Sequence, residues 1–213
     1  MSYEVLALKY MLIMKNNIKK TNTSERILDV TQELIQSRGY SAISFNDIAK
    51  EVGIKKPSIL YHYPSKVALG VAVVARYRKN FSMMLDKALR NREISPAKMM
   101  DFYFSPYLDL GKKNEKICLC GALAGEYMAL PKGLRDEVTL FLEDGKKWLT
   151  TILKLGKSTG DFSFDGSPVV MANLVLDALQ GSLIVSRAMS NKNHVKKTIA
   201  ALKTELGLQS RIT

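Results

Sequence analysis

The chain has 213 residues, 46% of them hydrophobic, which suffices for a sizeable core in one large or two modest domains. The formal net charge of +12 favours a polyanionic partner. Charge alone does not locate that partner, because residues 1–66 carry 10 Lys and Arg against 6 Asp and Glu, and residues 67–213 carry 22 against 14. Two cysteines are too few for a secreted disulfide framework, so we expect a cytoplasmic protein.

The first 21 residues are expected to form an N-terminal extension. Val5–Met14 is apolar, but ten residues cannot span a bilayer and no small-residue cleavage site follows, so we predict no membrane anchor. Residues 15–21 are basic and polar. They fit either an arm that reaches DNA or a solvated tail. Met14 is an alternative start, so residues 1–13 could be an upstream extension.

Two helical patterns come next. Asn22 and Glu25 have the spacing of a capping box, and the apolar stripe that follows runs to Gly39. The second pattern predicts a short helix, which Gly53 can end in a left-handed conformation. One face of this helix is formed by Phe45, Ile48, Ala49 and Val52.

A third helix is predicted over Lys55–Tyr63, and Ser65 is placed to cap the helix after it. Two short helices joined at a glycine are typical of a helix-turn-helix, whose second helix enters the DNA major groove. A hairpin that only builds core is the alternative, but it would more often mix acidic residues into this run, which has none. The predicted DNA-binding residues are Lys55, Lys56, Pro57, Ser58, Tyr61, His62 and Lys66.

The stretch Gly53–Lys66, GIKKPSILYHYPSK, resembles the reading helix of the TetR-type bacterial transcriptional regulators, G-V-x-x-x-(S/T)-L-Y-x-H-F-x-(S/N)-K. The resemblance is specific over Ile27–Leu69 and general over the remaining helical part. It implies an all-helical homodimer with a small N-terminal DNA-binding domain and a larger C-terminal ligand-binding domain. Leu60 departs from the pattern, because the family usually has an aromatic residue there. Tyr61 or Tyr63 would take over its phosphate contact.

The rest of the chain is also predicted to be helical, and no convincing period-2 strand pattern occurs. We expect about nine helices in an all-α fold: an extension over residues 1–21, a three-helix DNA-binding domain over 22–66, and a ligand-binding and dimerisation domain over 67–213. The predicted segments after Ser65 are a long helix to Arg90, a helix after Ser95-Pro96, a loop over Gly111–Lys116, a helix over Leu119–Leu130, a long helix from Pro131, a connection over Gly156–Ser167, and helices over Pro168–Ser190 and Val195–Leu206.

The Pro168–Ser190 helix is apolar almost all round through Gly181, which predicts burial on every side. It is either central to its own domain or shared with a second copy. The resemblance places the dimer interface on this helix and on Val195–Leu206. Two copies would then read two half-sites of a near-palindromic operator.

A cluster of aromatic residues is the candidate for an unidentified small-molecule effector. Phe102, Tyr103 and Tyr107, with Trp148 facing them, either line a pocket between helices or are simply core. Cys118 and Cys120 lie in a stretch that resembles a subset of the same family, some of whose members sense electrophiles or oxidants through a cysteine. Nearby lysines and a helix start would lower the thiol pKa values, whereas buried cysteines would be inert.

Enzyme chemistry is not indicated. The chain has two histidines and no phosphate loop, metalloprotease motif or nucleophile elbow, and we expect no cofactor and no metal. The sequence therefore predicts a ligand-responsive homodimeric repressor that binds double-stranded DNA and is released by a small molecule or electrophile. The alternative is a helical ligand-binding or thiol-sensing protein without sequence-specific DNA reading, and a small helical enzyme is the weaker third hypothesis.

Overall fold

The computed structural model describes residues 22–91, 93–113 and 115–208, and within them the protein is all-helical, as predicted. The predicted extension over residues 1–21 lies outside this range. A short 3-10 turn covers Tyr127–Ala129. The described helices are α1 (Thr23–Arg38), α2 (Phe45–Val52), α3 (Lys56–His62), α4 (Lys66–Arg90), α5 (Pro96–Lys113), α6 (Leu119–Ala124), α7 (Lys132–Thr159), α8 (Pro168–Ala188) and α9 (His194–Glu205).

Helices α1–α3, called the reader below, pack on one another, and α1 also packs against α4 and α6. Helices α4–α9, called the body, share one continuous hydrophobic core with the reader. Within the body, α7 packs against α4 and α8, and α8 packs against α9. Helix α1 is therefore the element through which the reader sits on the body.

The N-terminal caps differ from the sequence prediction in one place. Asn22 Oδ1 accepts a hydrogen bond from the amide of Ser24 at 3.3 Å. Glu25 does not complete a capping box, because its carboxylate pairs with Arg76 of α4 at 2.7 Å. The capping box lies instead at the start of α2, where Asp47 accepts from the amide of Ser44 at 2.8 Å and its own amide donates back to the Ser44 hydroxyl. The hydrogen bond that the Ser44 hydroxyl donates to Asp47, together with that from the Ser44 amide, holds the pKa of Asp47 below its usual value.

Three predicted boundaries in the body are wrong, and the first has a clear packing reason. Helix α5 continues through Gly111 to Lys113, because a glycine there lets α5 approach Val195 of α9; an added Cβ would lie 2.8 Å from that side chain. The predicted helix over Leu119–Leu130 ends at Ala124, and a 3-10 turn follows. Helix α7 runs to Thr159, so its connection to α8 begins at the left-handed Gly160.

Within the single chain, helix α8 is buried on one face and open on the other, so it is not enclosed on every side by its own domain. Its inner face packs in the core, whereas Val170, Leu174 and Ile184 are 65%, 46% and 44% exposed. Among the described helices, α8 is the one whose length and composition could also cross a membrane, a test that core helices pass as well. Apolar side chains clustered on an exposed helix face are typical of an interaction surface.

Candidate nucleic-acid interface and buried cavity

Helix α3 presents most of its surface to solvent. Ile59 is its buried residue and anchors the helix in the core. Tyr61 is 86% exposed, the most open large hydrophobic side chain of the reader. Of the residues predicted to bind DNA, Lys55, Lys56, Pro57, Ser58 and Tyr61 are exposed, and His62 and Lys66 are half-buried.

The turn before α3 fixes the position of that helix. Gly53 adopts φ +76°, and its amide and that of Ile54 both donate to the carbonyl of Ala49 at 3.0 Å. The paired bonds form the glycine-dependent end expected for a helix followed by a sharp turn. Arg26 of α1 donates to the carbonyl of Val52 at 2.6 Å, which ties the end of α2 to α1.

The two tyrosines flanking His62 lie in different environments. The Tyr63 hydroxyl shares a 2.7 Å hydrogen bond with the hydroxyl of Ser24 at the start of α1. Tyr63 therefore anchors the end of α3 to α1. Tyr61 points outward, with its ring edge-on to His62 at 5.2 Å between centroids. Of the two tyrosines considered as substitutes for the contact missing at Leu60, Tyr61 is the one open to a duplex.

Lys66 lies at the junction of reader and body. Its ammonium is 4.5 Å from the centroid of the Tyr40 ring. Partial burial lowers the pKa of Lys66, and the carboxylates of Glu126 and Asp47 oppose that shift. Ser65 caps α4 as predicted, accepting from the amide of Ala68 at 3.0 Å. Lys66 is thus held at the first turn of a long helix, where anions are stabilised.

The body contains a cavity of about 10 Å³ between α4, α5, α7 and the start of α6. This volume is about that of a single water molecule. Two of the predicted effector residues, Tyr107 and Cys118, line the cavity. The other lining residues are Tyr77, Phe81, Pro106, Leu110 and Phe141.

The remaining predicted effector residues lie outside that lining. Tyr103 stacks on Trp148 at 5.4 Å between ring centroids, and Trp148 donates to the carbonyl of Leu85 at 3.1 Å. Phe102 is half-buried, and Cys120 is fully buried. The Tyr103 and Tyr107 ring centroids are 5.9 Å apart, so the stacked pair of Tyr103 and Trp148 lies behind the lining residue Tyr107.

The two phenols that line the cavity are harder to ionise than ordinary tyrosines. Burial raises the pKa values of Tyr77 and Tyr107 well above the ordinary phenol value. Burial also raises the pKa of the Cys120 thiol, which corrects the expectation that a helix start and lysines would lower it. Gln180 of α8 donates to the Tyr107 hydroxyl at 3.1 Å and to Cys118 Sγ at 3.5 Å. No donor among the described residues reaches Gln180 Oε1.

Sequence reasoning missed Gln180, Tyr77 and Pro106. Tyr77 and Phe81 are four residues apart in α4, a spacing that does mark one face of a helix. Pro106 lies inside α5 and has no N–H to donate to the Phe102 carbonyl one turn earlier. The hydroxyl of Ser105 donates to that carbonyl instead, at 3.1 Å. Gln180 carries no local signal, because its partners are 62 and 73 residues away.

A helix-turn-helix with an exposed, basic second helix on an all-helical body defines a DNA-binding regulator. Residues 27–73 match the family model described as bacterial regulatory proteins, tetR family. The chain is 28% identical over 187 residues to an uncharacterised HTH-type transcriptional regulator from Lactococcus lactis, covering 86% of this chain and 92% of the relative. It is 21% identical over 173 residues to the HTH-type transcriptional repressor DhaR of a Mycobacterium species, covering 81% and 86%.

Among solved structures, a TetR transcriptional regulator from Legionella pneumophila matches with a TM-score of 0.80 and 29% identity. The match covers 89% of this chain and all of that one. The chain is thus similar to the TetR-type bacterial transcriptional regulators, with the family model matched over residues 27–73 and whole regulators matched over most of the chain. It is a regulator and not an enzyme.

Proposed function

We propose that the protein is a homodimeric, effector-responsive transcriptional repressor of the cytoplasm, which binds a near-palindromic DNA operator through α3. The observation that carries this proposal is the exposed α3 surface, which extends from Lys55 to Tyr61 and lacks carboxylates. A duplex presents phosphates beside base edges, and a lysine-flanked helix with hydroxyl groups suits both. We assign residues 22–66 to DNA binding and residues 67–213 to effector binding and dimerisation.

The proposed contacts divide by chemistry. Lys55, Lys56 and Lys66 would bind phosphates as point charges, with the first turn of α4 adding its amide groups beside Lys66. Ser58, Tyr61 and His62 carry groups that can donate to or accept from base edges. Pro57 sets the start of α3, since its missing amide is one that the helix would leave unpaired.

Selection of duplexes from a random pool, followed by footprinting, tests DNA binding directly. We expect a protected near-palindrome whose half-sites are about one helical turn apart. Lys55→Ala should weaken binding to all duplexes and reduce the salt slope by about one unit. Lys154→Ala, at an exposed lysine of α7, is the matched control and should leave the slope unchanged. Failure to enrich any sequence contradicts the proposed function.

The proposed dimer uses the outer face of α8 together with α9. Val170, Leu174 and Ile184 follow one another at four- and ten-residue steps, which keeps them on one side of the helix. Gly181 lies among them, and a Cβ added there would meet no atom within 4 Å. An open glycine on an apolar face permits close approach of a partner helix. Sedimentation of the full chain should show a dimer.

The proposed effector is a small neutral molecule that enlarges the buried cavity. Tyr77 and Tyr107 offer uncharged hydroxyl groups there, and Gln180 donates to the Tyr107 hydroxyl from outside the lining. The cavity of about 10 Å³ must open to admit such a molecule. A thermal-shift screen of neutral aromatic and carbonyl compounds tests this. A hit should lose most of its stabilisation in Tyr107→Phe.

A second candidate function is a thiol-sensing protein that does not read DNA sequence. It is favoured by Cys118, which lines the cavity and lies 3.5 Å from Gln180 Nε2. The two functions differ in their DNA binding. Binding that depends on salt but is indifferent to sequence would support the second candidate.

A further inference from the structure

The last turn of α1 is held by a reciprocal pair of hydrogen bonds from the body. The amide of Ile117 donates to the carbonyl of Gln36 at 3.2 Å, and Gln36 Nε2 donates back to the carbonyl of Ile117 at 3.0 Å. Gln36 is only 6% exposed, and Gln32 of the same helix donates to its Oε1 at 3.4 Å. Both the nitrogen and the oxygen of the Gln36 side-chain amide are thus hydrogen-bonded, which fixes its orientation at the helix end.

Helix α8 reaches the same turn from another direction. Arg187 Nη1 donates to the carbonyls of Gln36 at 3.3 Å and Ser37 at 3.4 Å. Carbonyls in the last turn of a helix have no partner within the helix and need external donors. Here the segment at Ile117 and helix α8 supply those donors, so the position of the end of α1 depends on both.

Glu126 holds the turn that follows α1. Its carboxylate accepts from the amides of Tyr40 at 2.8 Å and Ser41 at 2.9 Å. Lys116 adds an ion pair with Glu33 at 2.8 Å. The segment from Lys116 to Glu126 therefore contacts both α1 and the turn that follows it.

The contact between Gln36 and Ile117 lies next to the cavity of the body. Cys118 follows Ile117 directly in the chain, lines the cavity, and accepts a hydrogen bond from Gln180 of α8. A change of packing at Cys118 is thus one peptide away from the Gln36 contact. Helix α1 in turn packs on α2 and α3, so that a tilt of α1 carries the DNA-facing surface with it.

We infer that Gln36 is the positioning residue that couples the cavity to the reader, through its paired hydrogen bonds with Ile117. This inference rests on the proposed function, because it names how that function is regulated. A shift of residues 116–118 pulls on the end of α1 and changes the separation of the two α3 helices in a dimer. Coupling between two sites is reciprocal, so DNA binding should also act on the cavity.

A double-mutant cycle on the full-length protein without DNA tests the coupling. The variants are Gln36→Met, Gln180→Met and the two combined, both changes being close to volume-conserving. The readout is amide hydrogen exchange over residues 36–44. We expect Gln180→Met to speed exchange there about threefold in the parent and to have no further effect beside Gln36→Met, as for coupled residues. Equal effects in both backgrounds, or none in either, overturn the inference.

Two further variants secure that result. Ser37→Ala is the matched control, because the Ser37 hydroxyl bonds only within α1, to the carbonyls of Glu33 and Leu34. It should leave the Gln180→Met effect intact, and loss of that effect would count against Gln36. Gln36→Glu cannot donate to the Ile117 carbonyl and should behave like Gln36→Met, which covers the case where the methionine variant folds poorly.

A DNA readout separates positioning from mere stability. The probes are the selected duplex, the same duplex with one base pair inserted between half-sites, and a single half-site. Gln36→Met should reduce discrimination between the two spacings about fivefold and leave single half-site affinity unchanged. Equal losses on all three duplexes would indicate a structural role only and overturn the inference. If no duplex is selected, the proposed function fails while the exchange cycle still decides the coupling.

Discussion

The reader and the body expose opposite chemistry. The reader turns lysines, hydroxyls and Tyr61 outward and keeps Ile59 inward, whereas the body buries Tyr103 at 1% exposure and turns apolar residues of α8 outward. The same residue type, tyrosine, is thus 86% exposed in one region and nearly inaccessible in the other. Exposure of this kind indicates the partner. A basic polar surface suits a polyanion, and an apolar helix face suits another apolar face.

The contrast also separates two kinds of sensitivity. Changes to the reader surface should alter recognition and leave folding intact, because those side chains contribute little to the core. Changes within the body should alter stability or assembly first. The four expectations below follow that division, beginning with the most strongly buried groups.

Alkaline pH should destabilise the protein through the buried phenols of the body. Burial raises the folded-state pKa of Tyr77, Tyr103 and Tyr107, so the folded state retains protons that the unfolded chain releases above about pH 10. Their contribution is complete below that pH and is lost as pH rises toward the raised pKa values. Each phenol should remove about 1.4 kcal/mol per pH unit, or about 4 kcal/mol together. Denaturant titrations from pH 8 to 11 measure this.

Tyr107→Phe provides the check on that assignment. Its free energy of unfolding should fall less steeply above pH 10, by about 1.4 kcal/mol per unit, whatever the variant costs at neutral pH. A slope identical to that of the parent would contradict the assignment. The raised pKa of Cys120 adds a further loss of about 1.4 kcal/mol per pH unit that begins at a lower pH, near 8.5, and Cys120→Ala should remove it.

A charge on the outer face of α8 should disrupt the proposed dimer. Ile184→Asp places a charge on the 44% exposed side chain of the proposed dimer face, where it would be desolvated on association. We expect dimerisation and operator affinity each to weaken by on the order of 100-fold, with the helical content of the monomer retained. Sedimentation and duplex titration give the two values.

Met83→Asp controls for the introduction of a charge at an exposed apolar position. Met83 is 47% exposed on α4, outside the proposed interface. This variant should dimerise like the parent. If both variants dissociate, or neither does, α8 is not the dimer face.

The reader could be predicted from the sequence because its signals are local. The apolar spacing of α2, the glycine that ends it and the cap before α4 lie within a few residues of the backbone groups they satisfy. The same reasoning failed at Glu25, whose partner Arg76 is 51 residues away. Local patterns place a helix end correctly only when no distant group competes for the capping side chain.

The body was predicted in outline and missed in detail for the same reason. Helix α6 stops short where Glu126 accepts hydrogen bonds from the backbone of Tyr40 and Ser41, 86 and 85 residues away. The sequence left open whether the aromatic residues line a pocket or form core, and the fold packs them with space for about one water. Aromatic content indicates a core, but the volume left between the rings depends on long-range packing that no local pattern contains.

Gly39 joins the two regions and should be harder to replace than another positive-φ glycine. Gly39 has φ +90° and ψ +161°, a region almost restricted to glycine, and an added Cβ would collide with the Glu126 carboxylate. Gly160 has φ +76° in the left-handed region with open space around it. Gly39→Ala should cost about 3 kcal/mol of unfolding free energy and Gly160→Ala about 1 kcal/mol. If chemical denaturation gave similar losses of unfolding free energy for the two variants, the Glu126 side chain would be moving aside without cost.

The smallest expected effect, in energy, concerns the most exposed aromatic group of the reader. Tyr61→Ala should reduce discrimination between the selected duplex and scrambled DNA about tenfold, because a lost base-edge contact is worth about 1–3 kcal/mol. Binding to scrambled DNA and its salt slope should stay the same, since no charge is removed. Stability should also be unchanged, because an 86% exposed ring contributes little to packing.

Tyr127→Ala tests whether any exposed tyrosine would give the same result. Tyr127 is 37% exposed on the 3-10 turn before α7 and bonds Thr139 at 3.0 Å, away from α3. Competition titrations should show parent-like discrimination for this variant and reduced discrimination for Tyr61→Ala. If the Tyr61 variant discriminates as well as the parent, the exposed tyrosine does not read bases. Sequence preference would then have to come from Ser58 and His62, or from duplex shape sensed through phosphate contacts.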